Sequence, residues 1–536
     1  MRLYLGALLL SAQAIAAPGL GTILRIDSGW VAGSGTTIRS YKGIPYAAAP
    51  VGELRWEPPE APKPWKGILV AKNYLPMCPQ MPLVPGPQSE DCLGLNVWTP
   101  AASASDKLPV MFWIHGGGFQ IGASSQSVYD GEALASQGVV VVSINYRMGI
   151  FGFLAHPELS RESPHGVSGN YGMLDMIAGL EWVKRNIAAF GGDPANVTIF
   201  GESAGGTAVC LLMVMPEAKG LFSKVVAQSA WSLYTPISHI RESWYGHIPA
   251  EKFGEKLGQD IAALRGKTTA EILKLGGPPD MTGDATDRGE AYMPVVDGWA
   301  IPDDPARLFD AGKFHHVALI AGTNADEGTL AGGPPVRNLA QYRKWTEKQF
   351  GSQADGLLKA YPASTDADAH DAATRAMGDY EFLLGTRSIL RVVSAANANT
   401  FQYQFTRLNG VGRRIKWGVF HASELPYVFQ TLPDSAYGTA PTLFGDFSVD
   451  ADTYNEQDAR LAKAMSGAWV QFAKTGKPNG VGLPKWPAFD KSRESYLEFG
   501  DQIAAKEKLR AKELDFLSAF CESRRSHAAA VGGGDQ

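Results

Sequence analysis

Apolar residues along the chain fall into two alternating patterns. Short, nearly unbroken apolar runs occupy residues 110–114, 139–144, 197–200, 225–227 and 317–321, with a later one at 401–405. Such runs suit strands covered on both faces. Between the second and third runs lies the stretch 171–190. Its apolar residues Leu174, Ile177, Leu180, Val183 and Ile187 recur every three or four positions, which predicts a helix. Residues 207–215, 460–474 and 504–521 also read as helices. Strands alternating with helices over nearly the whole length predict an α/β fold built on a large, mostly parallel central sheet with helices on both faces. No internal repeat is present. The patches at 101–107, 276–288 and 362–370 are short enough to be surface loops, so residues 18–526 are expected to form one domain with insertions.

Composition narrows the class. The hydrophobic fraction is 45% and the charged fraction 19%, enough apolar surface for a large core and too little charge for a disordered chain. Basic and acidic residues number 49 and 54, with no basic block, which argues against a nucleic-acid partner. The first residues carry Arg2, an apolar stretch and then Ala14-Ile15-Ala16. That pattern reads as a secretory signal peptide over 1–17, cut after Ala16 or Ala17, and hence as a periplasmic or extracellular protein. No later run is long enough to anchor the chain in a membrane. The end, 527–536, is expected to be a disordered tail. Four cysteines allow three pairings. Cys78 and Cys92 enclose a short proline-rich loop and are the candidate bridge, whereas Cys210 lies in an apolar helical run and is expected to be a buried thiol.

The chemistry starts at Gly201-Glu202-Ser203-Ala204-Gly205. A Gly-x-Ser-x-Gly between a strand and an apolar helix forms a tight turn that lifts the serine hydroxyl above the sheet. The hydroxyl needs a base. In hydrolases of this architecture the acid and then the histidine follow the serine in the chain. Among later histidines, His421 stands between Trp417-Gly418-Val419-Phe420 and Glu424-Leu425-Pro426-Tyr427, a polar ring after a strand-like region. The acid lies in Gly322-Thr323-Asn324-Ala325-Asp326-Glu327-Gly328, at the C-terminal end of a strand, where open α/β sheets place their chemistry. Residue chemistry alone leaves Asp326 and Glu327 equal. His115-Gly116-Gly117-Gly118-Phe119 and Ala204 offer backbone N–H groups for an oxyanion. No His-Glu-x-x-His or other metal pattern occurs, and no cofactor is implied.

With these residues in place the chain resembles the type-B carboxylesterase/lipase family, the α/β-hydrolases that include the cholinesterases. The resemblance rests on Lys42-Gly43-Ile44-Pro45-Tyr46, Ser89-Glu90-Asp91-Cys92-Leu93, Asn145-Tyr146-Arg147 and Phe190-Gly191-Gly192-Asp193-Pro194, together with the serine, glycine, acid and histidine motifs. It implies a triad of Ser203, Glu327 and His421, an oxyanion hole of Gly117, Gly118 and Ala204, and hydrolysis of a small-molecule ester through an acyl-enzyme. It further implies that Ser229 supports Glu327, that Glu202 shapes the field of the site, and that Cys78 and Cys92 form the family's first disulfide. It also implies that Asn196, in the sequon Asn196-Val197-Thr198, precedes a buried strand and has a structural rather than a glycan-bearing role.

Departures from the family bear on substrate. The loop between Cys78 and Cys92 has 13 residues and no aromatic, where cholinesterases carry a longer loop with a cation-binding tryptophan. Choline esters are therefore disfavoured, and so is a lid that opens at a lipid surface. The family also includes bacterial esterases that remove polycarboxylate side chains from toxins. Arg413 and Arg414 are candidates to pair with such an acyl group, and Trp231 is a candidate for the pocket wall. A non-catalytic binding or adhesion member of the fold is disfavoured by the intact nucleophile.

Overall fold

The computed structural model describes residues 21–230, 237–244, 247–277, 292–432, 453–480 and 482–532. The expected signal segment 1–17 and Trp231 lie outside the described residues.

Thirteen strands are present among the described residues: β1 (Ile23–Ile26), β2 (Gly29–Ala32), β3 (Arg39–Pro45), β4 (Ile68–Val70), β5 (Gly94–Thr99), β6 (Leu108–Ile114), β7 (Val140–Ile144), β8 (Gly192–Glu202), β9 (Lys224–Gln228), β10 (Ala318–Asn324), β11 (Thr400–Phe405), β12 (Ser495–Phe499) and β13 (Ile503–Glu507). Ten of them form one sheet in the order β13-β12-β11-β10-β9-β8-β6-β7-β5-β3. From β12 to β7 every neighbouring pair is parallel, and the antiparallel pairs lie at the two ends. This is the α/β-hydrolase architecture.

The apolar runs explain the sheet. Every residue of β7, β9 and β10 is buried. Alternate side chains serve opposite faces. Val110, Phe112 and Ile114 of β6 join one core with Met173, Leu180 and Val183 of the helix Tyr171–Asn186. Met111 and Trp113 join the other core with Met465, Trp469 and Phe472 of the helix Glu456–Thr475. Asn455 starts that second helix by accepting from the N–H groups of Gln457 and Asp458, and Gly476, at φ 74°, ends it. Helical insertions lie between β9 and β10 and between β10 and β11.

Several expectations need correction. The stretch 504–521, expected as one helix, opens with β13 and becomes helical only at Ala511. Pairing with β12 from Ser495↔Glu507 to Phe499↔Ile503 overrides the helix preference of its alanines. The helix Ala511–Gly532 runs on into the segment expected to be a disordered tail, through the alanines 528–530, while 533–536 lie outside the described residues. The strand-like region before His421 is a turn after the short helix Gly410–Ile415. A separate three-stranded sheet, β1-β2-β4, has no counterpart among the expected strands. Cys78 and Cys92 are bonded, and Cys210 and Cys521 are separate buried thiols. Asn196 lies within β8, where its side chain accepts from the Lys224 ammonium.

Candidate active site

Ser203 leaves β8 and starts the helix Ala204–Leu212 with φ 58° and ψ −123°, a conformation that side chains rarely adopt. The turn holds because its glycines lack Cβ atoms. A Cβ on Gly205 would lie 2.1 Å from the Ile114 carbonyl oxygen, and one on Gly201 would lie 2.5 Å from the Gly205 carbonyl carbon. Either would push strand and helix apart. The Ser203 N–H is tied to the Gln228 carbonyl at 2.9 Å, across to β9.

The acid arrives from β10. Glu327 follows the strand's end at Asn324 and is 3% exposed. Its carboxylate accepts from the Ser229 hydroxyl, from the Asn324 N–H and from His421 Nδ1, each at 2.6 Å. Asp326, its neighbour, turns the other way and accepts from the Val419 N–H at 2.7 Å. The imidazole therefore meets Glu327 and not Asp326. Its other nitrogen, Nε2, faces Glu202 Oε1 at 3.1 Å, without the alignment of a hydrogen bond. Nε2 and the Ser203 hydroxyl are not hydrogen-bonded; in unliganded sites such bonds are often long and tighten with substrate. The Phe382 ring packs on the imidazole with centroids 4.6 Å apart, presented by a π-helical turn at Asp379–Leu383.

The glycine loop after β6 stands beside the serine. A Cβ on Gly116 would lie 3.0 Å from the Ser203 Cβ and 2.9 Å from Glu202 Oε2. Gly117 and Gly118 have φ of 108° and 64°. Neither of their N–H groups donates to another described residue, and Ala204, as the first residue of its helix, has no carbonyl a turn before it. His115 at the loop's base is fully buried, stacks on Tyr146 and is held neutral, burial pushing its pKa down to about 4.

Acidic groups crowd the imidazole. Glu202, Glu327 and Glu424 are all buried around one imidazole. Glu424 accepts from Asn324 Nδ2 at 2.7 Å and Gln228 Nε2 at 2.9 Å. Burial pushes the Glu202 carboxyl up to about 8, with Glu424 and Glu327 adding to the rise and His421 opposing it. Burial also works against the imidazolium of His421, but Glu202, Glu327 and Glu424 outweigh it and raise that group to about 9.

Comparison with known proteins places the chain. The model of the carboxylesterase family matches residues 21–517. This chain belongs to that family. A fumonisin B1 esterase of Sphingopyxis macrogoltabida is 39% identical over 489 residues, 90% of this chain and 87% of its own. The para-nitrobenzyl esterase of Bacillus subtilis is 35% identical over 480 residues, 86% of this chain and 92% of its own. Among solved structures, a Geobacillus stearothermophilus carboxylesterase superposes with a TM-score of 0.77 at 32% identity, covering 92% of this chain and all of the other. The carboxylesterase's activity is carboxylic ester hydrolysis.

Of the residues singled out in the sequence, the structure gathers Glu202, Ser203, Ala204, Gly117, Gly118, Ser229, Glu327 and His421 at the C-terminal ends of β6, β8, β9 and β10. Arg413 and Arg414 stand exposed on the helix Gly410–Ile415, and Arg413 turns back to donate to the Leu408 carbonyl at 2.9 Å. Sequence reasoning missed Glu424 and Phe382. Glu424 was visible only as the carboxyl three residues after His421, and nothing in the periodicity marks Phe382. Among the described residues, no group of three His, Cys, Asp or Glu side chains is arranged to hold a metal ion, and no helix is long and apolar enough to cross a membrane.

Proposed function

We propose that this carboxylesterase works through an acyl-enzyme on Ser203. The observation that carries the reading is the chain Ser229–Glu327–His421, with contacts of 2.6 Å, set beside a strained serine at the next strand end. Ser203 attacks the ester carbonyl carbon while His421 Nε2 takes its proton. Glu327 fixes the Nδ1–H tautomer and stabilises the imidazolium. The N–H groups of Gly117, Gly118 and Ala204 take the charge that develops on the carbonyl oxygen. Collapse of the tetrahedral adduct expels the alcohol, protonated by His421, and water then repeats the sequence to release the acid. Ser203→Ala tests the assignment. Turnover of a p-nitrophenyl ester should fall by about 10⁴-fold or more and fluorophosphonate labelling should vanish, with the melting temperature kept. Near-normal turnover would overturn it.

Secretion is part of the proposal and rests on the composition of residues 1–17 and the Cys78–Cys92 bond. Recovery from the periplasm or medium with an N-terminus at Ala17 or Pro18 checks it.

A second reading, preference for anionic polycarboxylate esters of the kind found as toxin side chains, is supported by the similarity to a fumonisin B1 esterase. Rates on matched neutral and anionic esters, for the parent and for Arg413→Ala and Arg414→Ala, separate the two. Equal rates on both esters would remove the second reading.

A further inference from the structure

The loop closed by the Cys78–Cys92 bond is too short for a lid, yet one side chain in it is buried to 2% exposure and has every polar end engaged. That side chain is Gln80. Its Oε1 accepts from the Gly122 N–H at 2.8 Å, and its Nε2 donates to the Gly122 carbonyl at 2.7 Å and to the Cys78 carbonyl at 3.1 Å. A side-chain amide thus replaces the neighbouring strand that Gly122 does not have.

Gly122 closes the loop that begins at His115. Within it the Gly117 carbonyl accepts from the N–H groups of Gln120 and Ile121, both at 3.0 Å. The chain then folds back so tightly that a Cβ on Gly122 would lie 2.4 Å from His115 Nδ1 and 2.7 Å from the Gly116 carbonyl oxygen. The position of Gly122 therefore sets the curl that aims the N–H groups of Gly117 and Gly118. A second amide repeats the attachment two residues on. Asn145 Oδ1 accepts from Ser124 N and Oγ at 3.0 and 2.8 Å, and its Nδ2 donates to the carbonyls of Pro76 and Cys92 at 3.1 and 3.2 Å. The disulfide-closed loop is stitched to the glycine loop at both of these points.

We propose that Gln80 is a positioning residue for the oxyanion hole, holding Gly117 and Gly118 through Gly122, with the disulfide-closed loop as its scaffold. This rests on the reading of those two glycines as oxyanion donors. An oxyanion is bound fully only in the transition state, so loosening its donors lowers kcat more than it raises KM.

Gln80→Met keeps the length of the side chain and removes both hydrogen bonds to Gly122. Its kcat on a p-nitrophenyl ester should fall about ten- to hundredfold, with KM within about twofold. Inhibition by an aryl trifluoromethyl ketone should weaken by the factor lost in kcat/KM. Gln80→Glu keeps an acceptor for the Gly122 N–H but sets a carboxylate oxygen against the Gly122 carbonyl, and protonation restores an O–H donor there. The ratio of variant to parent kcat should therefore rise as pH falls, which a purely structural role would not produce. Unchanged kcat in Gln80→Met, or a lower melting temperature with unchanged kcat below it, would overturn the proposal. Should Gln80→Met not fold, a flat ratio in Gln80→Glu would do the same. Ser203→Ala measured alongside separates the two failures. An active Ser203→Ala sinks the catalytic reading; an inactive one with unaffected Gln80 variants sinks only the positioning role.

Discussion

Two buried groups of charges in the molecule are built on opposite plans. Arg147 and Asp175 are almost completely hidden. Arg147 Nη2 and Nε donate to Asp175 at 2.7 and 2.9 Å, the Arg147 N–H donates to the same carboxylate at 3.0 Å, and Nη1 donates to the Glu57 carbonyl at 2.8 Å. Charge is cancelled and each of these groups has a partner. Around His421, three buried carboxylates share one imidazole, and both His421 Nε2 and Glu202 Oε1 lack a hydrogen-bond partner. Backbone strain is present there too, at four of the twelve non-glycine residues with positive φ among the described residues. Phe119, Ser203, Ser229 and Ala422 are non-glycine residues with positive φ, and each is a site residue or adjoins one. A buried pair that only holds the fold is satisfied; a surplus of like charge and unmade hydrogen bonds keeps groups available for a partner that arrives later.

The sharpest test of that contrast uses two adjacent carboxyls. Glu327→Gln should lower kcat by about 10⁴-fold, because the amide no longer fixes the imidazole tautomer or supports its charge. Asp326→Asn should cost far less, since Asp326 faces Val419. Steady-state rates on one ester decide it, and equal losses would break the distinction. Next in size, Arg147→Met should destabilise the fold by about 3–5 kcal/mol in urea unfolding, because it strands the Asp175 carboxylate in the core, while KM of the folded fraction stays unchanged. A stable Arg147→Met would mean that the satisfied pair does not hold the fold together.

What the sequence disclosed and what it hid follow the same physics. The serine turn was legible because only glycine fits at 201 and 205, so the backbone constraint is written as residue type. The strands β6, β7, β9 and β10 were legible because burial on both faces leaves a nearly continuous apolar run in each, with polar residues mostly toward the strand ends. The choice of Glu327 over Asp326 was not legible from residue chemistry, since it depends on which way two adjacent side chains leave a turn, and the family resemblance supplied it. Glu424 and Gln80 were invisible as partners because their contacts join segments far apart in the chain, such as Gln228 with Glu424 and Gln80 with Gly122. Strands β1, β2 and β4 are three or four residues long and partly exposed, which leaves almost no pattern to read. Strand β13 exists because β12 offers it an edge, a fact about the fold and not about residues 503–507 themselves.

The smallest predicted effect bears most directly on the surplus charge. His421 serves as a base only when neutral. Neighbouring carboxylates favour its imidazolium and raise it to about 9, so kcat/KM should climb with pH toward that value. Glu202, with its carboxyl raised to about 8, titrates in the same range, and the limb belongs to the pair. Glu202→Gln keeps the shape and removes one carboxylate that faces Nε2. The imidazolium loses an attraction, the neutral ring is favoured, and the limb should move toward acid by about one pH unit. Below the parent's limb the variant should then keep a larger share of its own maximum rate than the parent keeps of its own. Urea unfolding at neutral pH should show no loss of stability, since one of three crowded carboxylates has gone, the reverse of what Arg147→Met does. A limb that stays put would mean that Glu202 is already protonated in the free enzyme, so that its contact with His421 adds nothing to the imidazolium and the surplus is carried by Glu327 and Glu424 alone.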